Sequence, residues 1–166
     1  MVRELRACHV QALFLRGRLD FKRTVMDEFH YQRRVEFCET DAAGIAHFSA
    51  YFQYMEQAEH AFLRHLGTSV IAEDEAGTIS WPRVNAQCDY TGPVKFEDVI
   101  DIIVRIERLG IKSVTYAFDF RLEEATVATG KMTAVCCRIT HGKPPESMSI
   151  PIWLVSQMQA FAVADA

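Results

Sequence analysis

Apolar and polar residues alternate with period two over several stretches of this chain, and once, near its middle, the period lengthens to three and four. The short period marks strands, whose successive side chains point to opposite faces; the longer one marks a helix. Phe48, Tyr51, Phe52, Met55, Ala58, Phe62 and Leu66 fall on one such stripe. The spacing predicts a helix over about 49–66, apolar enough to be a central core element. Ser49 is its candidate N-cap and Gly67 its candidate stop.

Around that helix the pattern predicts strands. Residues 29–38 alternate, with Tyr31, Arg33, Val35 and Phe37 on one face. After an acidic connection over 68–78, four runs follow at 79–90, 99–108, 112–121 and 126–139. Pro82 lies near the start of the first, where a missing N–H is tolerable, and Gly130 in the last suggests a bulge. The connections at 109–111 and 123–125 are short, which implies antiparallel hairpins. A loop with Pro144 and Pro145 leads to a short helix over about 151–161. Strand, helix, then four strands is an α+β order: an antiparallel, curved sheet of about five strands wrapped around one long central helix. The edges of so apolar a sheet invite pairing with a second copy.

Composition narrows the class. With 166 residues and 49% hydrophobic content, the chain has room for one folded core. Six basic residues against Glu4 and Asp20 make 1–25 basic, inside a chain of net charge −4. The body is therefore acidic, which argues against a nucleic-acid groove. Residues 1–28 read as a basic N-terminal extension, flexible or peripheral, and 29–166 as the folded domain. No apolar run reaches the roughly 20 residues a membrane span needs. Five cysteines, Cys8, Cys38, Cys88, Cys136 and Cys137, form no C-x-x-C pair. They lack zinc spacing and a disulfide framework, and fit a reducing cytoplasmic setting. No metal or redox cofactor is implied.

The chemistry gathers in Glu39-Thr40-Asp41-Ala42-Ala43-Gly44-Ile45-Ala46-His47-Phe48-Ser49. It sets a carboxylate a few residues ahead of a helix N-terminus, whose free N–H groups favour an anion or a polarised carbonyl. A base or nucleophile facing an oxyanion site is the minimum equipment for attack on an acyl carbon. The local alternative for Asp41 is a turn aspartate bonded to nearby backbone. No G-x-S-x-G elbow occurs, which argues against a serine hydrolase.

The run from Val35 through Phe48, followed by Tyr51-Phe52-Gln53-Tyr54-Met55-Glu56-Gln57-Ala58, resembles the hotdog-fold acyl-CoA thioesterases of the 4-hydroxybenzoyl-CoA thioesterase-like family. Cys88-Asp89-Tyr90, Phe96-Glu97-Asp98, Glu107-Arg108-Leu109-Gly110 and Ala128-Thr129-Gly130 extend the resemblance over about 31–161. It implies hydrolysis of an acyl-CoA to free acid and CoA, with Asp41 as general base or nucleophile and the Phe48 backbone N–H as oxyanion donor. Gly44 keeps the turn between them open. Many relatives carry Tyr-His or Tyr-Pro where this chain has His47-Phe48, so His47 is either structural or an orienter of water or substrate. Glu59 falls inside the apolar stripe, where a carboxylate must be paired or hold a raised pKa, and is the rival to Asp41. Glu56 and Tyr51 are candidate acyl contacts; Lys112, Ser113 and Arg108 are candidates for the CoA phosphates. The expected assembly is a homodimer or homotetramer with sites near subunit interfaces. An acyl-carrier-protein thioesterase and a non-catalytic acyl-binding module are the alternatives.

Overall fold

The computed structural model describes residues 27–163; the basic extension read over 1–28 falls almost entirely outside them. In chain order the described elements are β1 (Phe29–Arg34), a 3-10 turn (Phe37–Glu39), α1 (Ala50–His65), β2 (Ile71–Asp74), β3 (Gly77–Ser80) and β4 (Arg83–Tyr90). There follow β5 (Val99–Leu109), β6 (Ser113–Leu122), β7 (Ala125–Val135), β8 (Cys137–Ile139), β9 (Glu146–Ser147) and α2 (Ile152–Met158). The sheet is antiparallel, but its strands number nine among the described residues rather than about five. Five form one sheet in the order β1-β5-β6-β7-β4, and four form a second, β2-β3-β8-β9.

Two predicted runs are each split in two. Trp81 and Pro82 separate β3 from β4, because proline has no N–H to give the ladder. Cys136 separates β7 from β8, its N–H turning to the Lys112 carbonyl at 2.8 Å. Gly130 makes no bulge: it pairs in regular register with Cys88 and with Phe118. A Cβ there would lie 2.5 Å from Met55 Sδ, so the glycine admits the helix's methionine against the sheet.

The helix spans 16 residues, one short of the expected range at each end. Gly67, at φ +77°, ends it in a left-handed turn. The N–H groups of Gly67 and Thr68 return to the carbonyls of Arg64 and Leu63, both at 3.0 Å. Ser49 stands at the N-cap without capping; its hydroxyl pairs with His47 instead. On the sheet, Ile100, Ile102, Val104 and Ile106 of β5 and Val114, Tyr116, Phe118 and Phe120 of β6 point inward. They bury against Tyr51, Tyr54, Met55, Ala58, Phe62 and Leu63 of α1 in one core. Each such side chain stabilises the fold by roughly 1.5–3 kcal/mol of transfer free energy, which is why the two patterns dock face to face.

Candidate active site

The loop between the 3-10 turn and α1 is folded back on itself. Thr40 and Ala46 form an isolated antiparallel bridge, and Ile45 bridges Lys95 just ahead of β5. Asp41 N–H donates to the Ile45 carbonyl at 2.9 Å, and Gly44 N–H to the Asp41 carbonyl at 2.9 Å. Gly44 sits at φ +73°, and a Cβ added to it would meet nothing within 4 Å. The turn thus selects glycine for its backbone angle and not for lack of room.

Asp41 is exposed, and its Oδ1 accepts the Ala43 N–H at 2.8 Å, as a turn aspartate does. Its Oδ2 makes no hydrogen bond among the described residues. Seven positions on, the Phe48 N–H has no protein acceptor among the described residues either, because its residue precedes the first helical turn. Asp41 and Phe48 line one cleft, together with Ile45, Ala46, Tyr51, Tyr90 and residues 92–94. Tyr90 was not singled out from the sequence: its hydroxyl donates to the Phe48 carbonyl at 2.9 Å and its ring meets Tyr51 edge-on at 5.1 Å. Its place in Cys88-Asp89-Tyr90, at the end of a strand, was the available signal. Burial pushes both phenols up to about 12, so each remains a neutral hydroxyl at physiological pH.

His47 turns its Nδ1 to the Ser49 hydroxyl at 2.7 Å, and its ring packs on Phe48 at 4.3 Å. It belongs to the helix entrance rather than to the lining of the cleft. Glu59 is fully buried, nine residues along α1 from Ala50, or about 14 Å at 1.5 Å per residue. Arg83 of β4 pairs with its Oε2 through Nε at 3.1 Å and Nη2 at 2.5 Å. Burial nevertheless prevails over that cation and raises Glu59 from 4.5 to about 7, with Glu56 adding to the rise. Its Oε1 and the buried Tyr116 hydroxyl are without hydrogen-bond partners among the described residues. Burial, and next the Glu59 charge, push the Tyr116 phenol well up. His60 also meets Arg83, at 2.8 Å, and burial followed by that cation lowers its pKa.

Glu56 lies in a separate groove with Phe52, Gln53, Arg83, Ala86 and Met132. Its carboxylate is 3.5 Å from Arg83. Arg108, Lys112 and Ser113 cluster at the turn from β5 to β6, whereas the Asp41 loop meets the chain just before β5 begins. An 11-residue strand separates the two ends by about 35 Å within one protomer. Among the described residues Lys112 Nζ reaches only Ser147, at 3.4 Å from its carbonyl. The structure therefore brings Asp41, Gly44, Phe48 and Tyr51 together, and holds Glu56, Glu59 and the three CoA candidates elsewhere.

Among the described residues no cluster of His, Cys, Asp or Glu is arranged to hold a metal ion. No helix there is long and apolar enough to cross a membrane.

Residues 43–129 match the family model described as Thioesterase superfamily. A protein of Aquifex aeolicus (strain VF5) with a provisional esterase name is 35% identical over 115 residues, 69% of this chain and 88% of its own. A 1,4-dihydroxy-2-naphthoyl-CoA hydrolase of Synechococcus sp. (strain CC9311) is 32% identical over 60% of this chain and 70% of its own. Among solved structures, a gentisyl-coenzyme A thioesterase superposes with a TM-score of 0.67 at 27% identity, over 78% of this chain and 99% of its own. The dynemicin thioesterase, at 19% identity, reaches 0.71 over 84% of this chain and 100% of its own, a likeness of fold alone. With a helix packed on an antiparallel sheet and the family's motif at the helix entrance, the chain belongs to the Thioesterase superfamily, as a thioester hydrolase of the hotdog type.

Proposed function

We propose that the chain hydrolyses an aromatic acyl-CoA, with Asp41 and the Phe48 amide as its working pair. The observation that supports this reading is that Asp41, whose Oδ2 takes no protein hydrogen bond among the described residues, and Phe48, whose N–H has no protein acceptor there, line one cleft. The thioester carbonyl accepts from the Phe48 N–H, which stabilises the negative charge that grows on oxygen during attack. In the general-base route, Asp41 takes a proton from water as the water oxygen bonds to the carbonyl carbon. The C–S bond then breaks, and the departing thiolate recovers that proton, leaving the free acid and CoA. In the nucleophilic route, Oδ2 itself bonds to carbon as the C–S bond breaks and CoA thiolate leaves. Water then adds to the Asp41 carbonyl of the anhydride, its proton passing to the thiolate, and frees the acid and the Asp41 carboxylate. A single turnover in ¹⁸O-water separates the general-base route, which labels the acid, from the nucleophilic route with water attacking the Asp41 carbonyl, which labels Asp41 and leaves the acid unlabelled.

The aromatic acyl group is supported by the lining rings of Phe48, Tyr51 and Tyr90, whose two neutral hydroxyls suit a ring bearing hydroxyls of its own. Two relatives carry names with such groups, 1,4-dihydroxy-2-naphthoyl and gentisyl. Dimerisation through β4 completes the site in this account. Among the described residues that strand ends the five-stranded sheet with one side unpaired, and Val84 on it is 63% exposed. Two-fold pairing of β4 with itself turns the second sheet end for end. The partner subunit's Lys112 then comes to the Asp41 end, roughly 15 Å away at about 4.8 Å per strand, within reach of the CoA phosphates.

The test is a substrate panel: 1,4-dihydroxy-2-naphthoyl-CoA, gentisyl-CoA, acetyl-CoA, palmitoyl-CoA and an acyl-carrier-protein thioester. The expected result is kcat/KM at least about tenfold higher for the two aromatic CoA thioesters. Preference for an aliphatic or carrier-linked thioester overturns the substrate class, and hydrolysis of none overturns the catalytic reading.

A further inference from the structure

Glu39 lies two residues ahead of Asp41, and its side chain is only 10% exposed. Its Oε1 accepts from Arg33 Nη2 at 2.5 Å. Its Oε2 accepts the Tyr54 hydroxyl at 2.8 Å and the Glu36 N–H at 2.7 Å. Tyr54 is fully buried on α1, and the Arg33 guanidinium stands over its ring, 5.4 Å from the centroid. The backbone of the same residue acts as well: the Glu39 carbonyl accepts the His47 N–H at 2.7 Å. That amide immediately precedes the Phe48 amide.

One residue is thus tied by its side chain to β1 and α1, and by its backbone to the peptide ahead of Phe48. Three donors occupy three of the roughly four acceptor sites on its two oxygens, and it does not line the cleft that Asp41 shares with Phe48, so it is committed to the scaffold and does not compete with Asp41 as a base. Burial, and next the bond to Glu39, push the Tyr54 phenol up, which preserves the O–H as a donor at neutral pH. A turn carboxylate in solvent requires none of these partners. A hydrogen bond from a buried hydroxyl to a carboxylate is among the stronger kinds, suited to holding a loop at fixed distance from a helix.

We infer that Glu39 is a positioning residue: through Tyr54 and Arg33 it fixes the separation between the Asp41 carboxylate and the Phe48 amide, without touching the substrate. The inference rests on the Asp41 and Phe48 reading above and adds to it the device that holds the pair in register. Misplacing reacting groups by a fraction of an ångström slows chemistry while leaving binding largely intact, because in this account the acyl ring rests on Tyr51 and Tyr90, neither of which bonds to Glu39.

The variants are Tyr54→Phe, which deletes one hydroxyl inside an unchanged ring, and Glu39→Gln, which keeps the shape and removes the charge. Each is assayed with 1,4-dihydroxy-2-naphthoyl-CoA or gentisyl-CoA, whichever the parent turns over faster, beside Asp41→Asn. Affinity for a thioether analogue of that CoA ester and Tm are measured on the same samples. The expected result is kcat down about tenfold, with KM and analogue affinity within about twofold of the parent. A folded variant with the parent's Tm and a kcat within about twofold of it overturns the inference, as does a loss confined to KM. Should Tyr54→Phe fail to fold, Glu39→Gln carries the same comparison. Full activity in Asp41→Asn sinks the catalytic reading itself; activity lost there but kept in both network variants sinks this inference alone.

Discussion

The Glu59→Gln substitution tests how burial and charge are balanced beneath the helix. Glu59 has no exposed surface, and its one counter-ion, Arg83, is shared with Glu56 and His60. The unfolded carboxyl ionises near 4.5, whereas the folded one holds its proton until about 7. Between those two values the folded state binds more protons than the unfolded one, so this group's contribution to stability falls as pH rises. At about 1.4 kcal/mol per pKa unit, the loss is roughly 3 kcal/mol, complete above about pH 7. Urea unfolding of parent and Glu59→Gln, at one protein concentration and across about pH 5 to 8, gives the two curves. Their difference cancels the titrating groups that do not interact with Glu59. The parent should lose most of that roughly 3 kcal/mol relative to the variant as pH rises. Curves that stay parallel within about 0.5 kcal/mol would refute the balance proposed, and would mean that Arg83 fully offsets the desolvation.

Gly44→Ala places a Cβ in open space but at φ +73°. It should cost about 1–2 kcal/mol in thermal or urea unfolding while KM stays near the parent value, whereas a raised KM would mean that the cleft is obstructed. Gly130→Ala sets a Cβ 2.5 Å from Met55 Sδ and should cost about 1–3 kcal/mol in the parent but little more when introduced into a Met55→Ala background, itself destabilised by its cavity. Additive losses in that double variant would show that the two residues are not coupled. Tyr90→Phe removes the donor to the Phe48 carbonyl. A fall in kcat of about two- to tenfold is expected, from a bond worth about 0.5–1.5 kcal/mol.

Where a residue's neighbours along the chain decide its fate, the amino-acid pattern was legible. The inward face of β6 follows from strict alternation and that of β5 from alternation broken at Val99 and Ile103, and Gly67 ends α1 because its left-handed turn returns two amides to Arg64 and Leu63. Glu59 could be read as a buried acid from its place on the helical stripe. What escaped was set by contacts distant in sequence. The apolar pattern predicts a connection where the β2 hairpin stands, because Glu73 and Asp74 break it, although Asp74 is held there by Arg138, through its Nη1 at 2.6 Å. Gly130 looked like a bulge because the pattern cannot show that Met55 presses on it from another element. Lys112 and Arg108 were attractive by charge, but local sequence does not reveal at which end of a strand a turn will lie. The pairing of Glu39 with Tyr54 was hidden for the same reason.

The most direct measurement of the central claim is turnover and binding by Asp41→Asn with the aromatic CoA ester that the parent prefers. Removing the carboxylate's basicity while keeping its shape should lower kcat by about 10² to 10⁴. Affinity for the thioether analogue should remain within a few-fold of the parent, since the Phe48 amide and the lining rings are untouched. Turnover at the parent's rate in a folded Asp41→Asn protein would contradict the account and transfer the carboxylate's role to another residue.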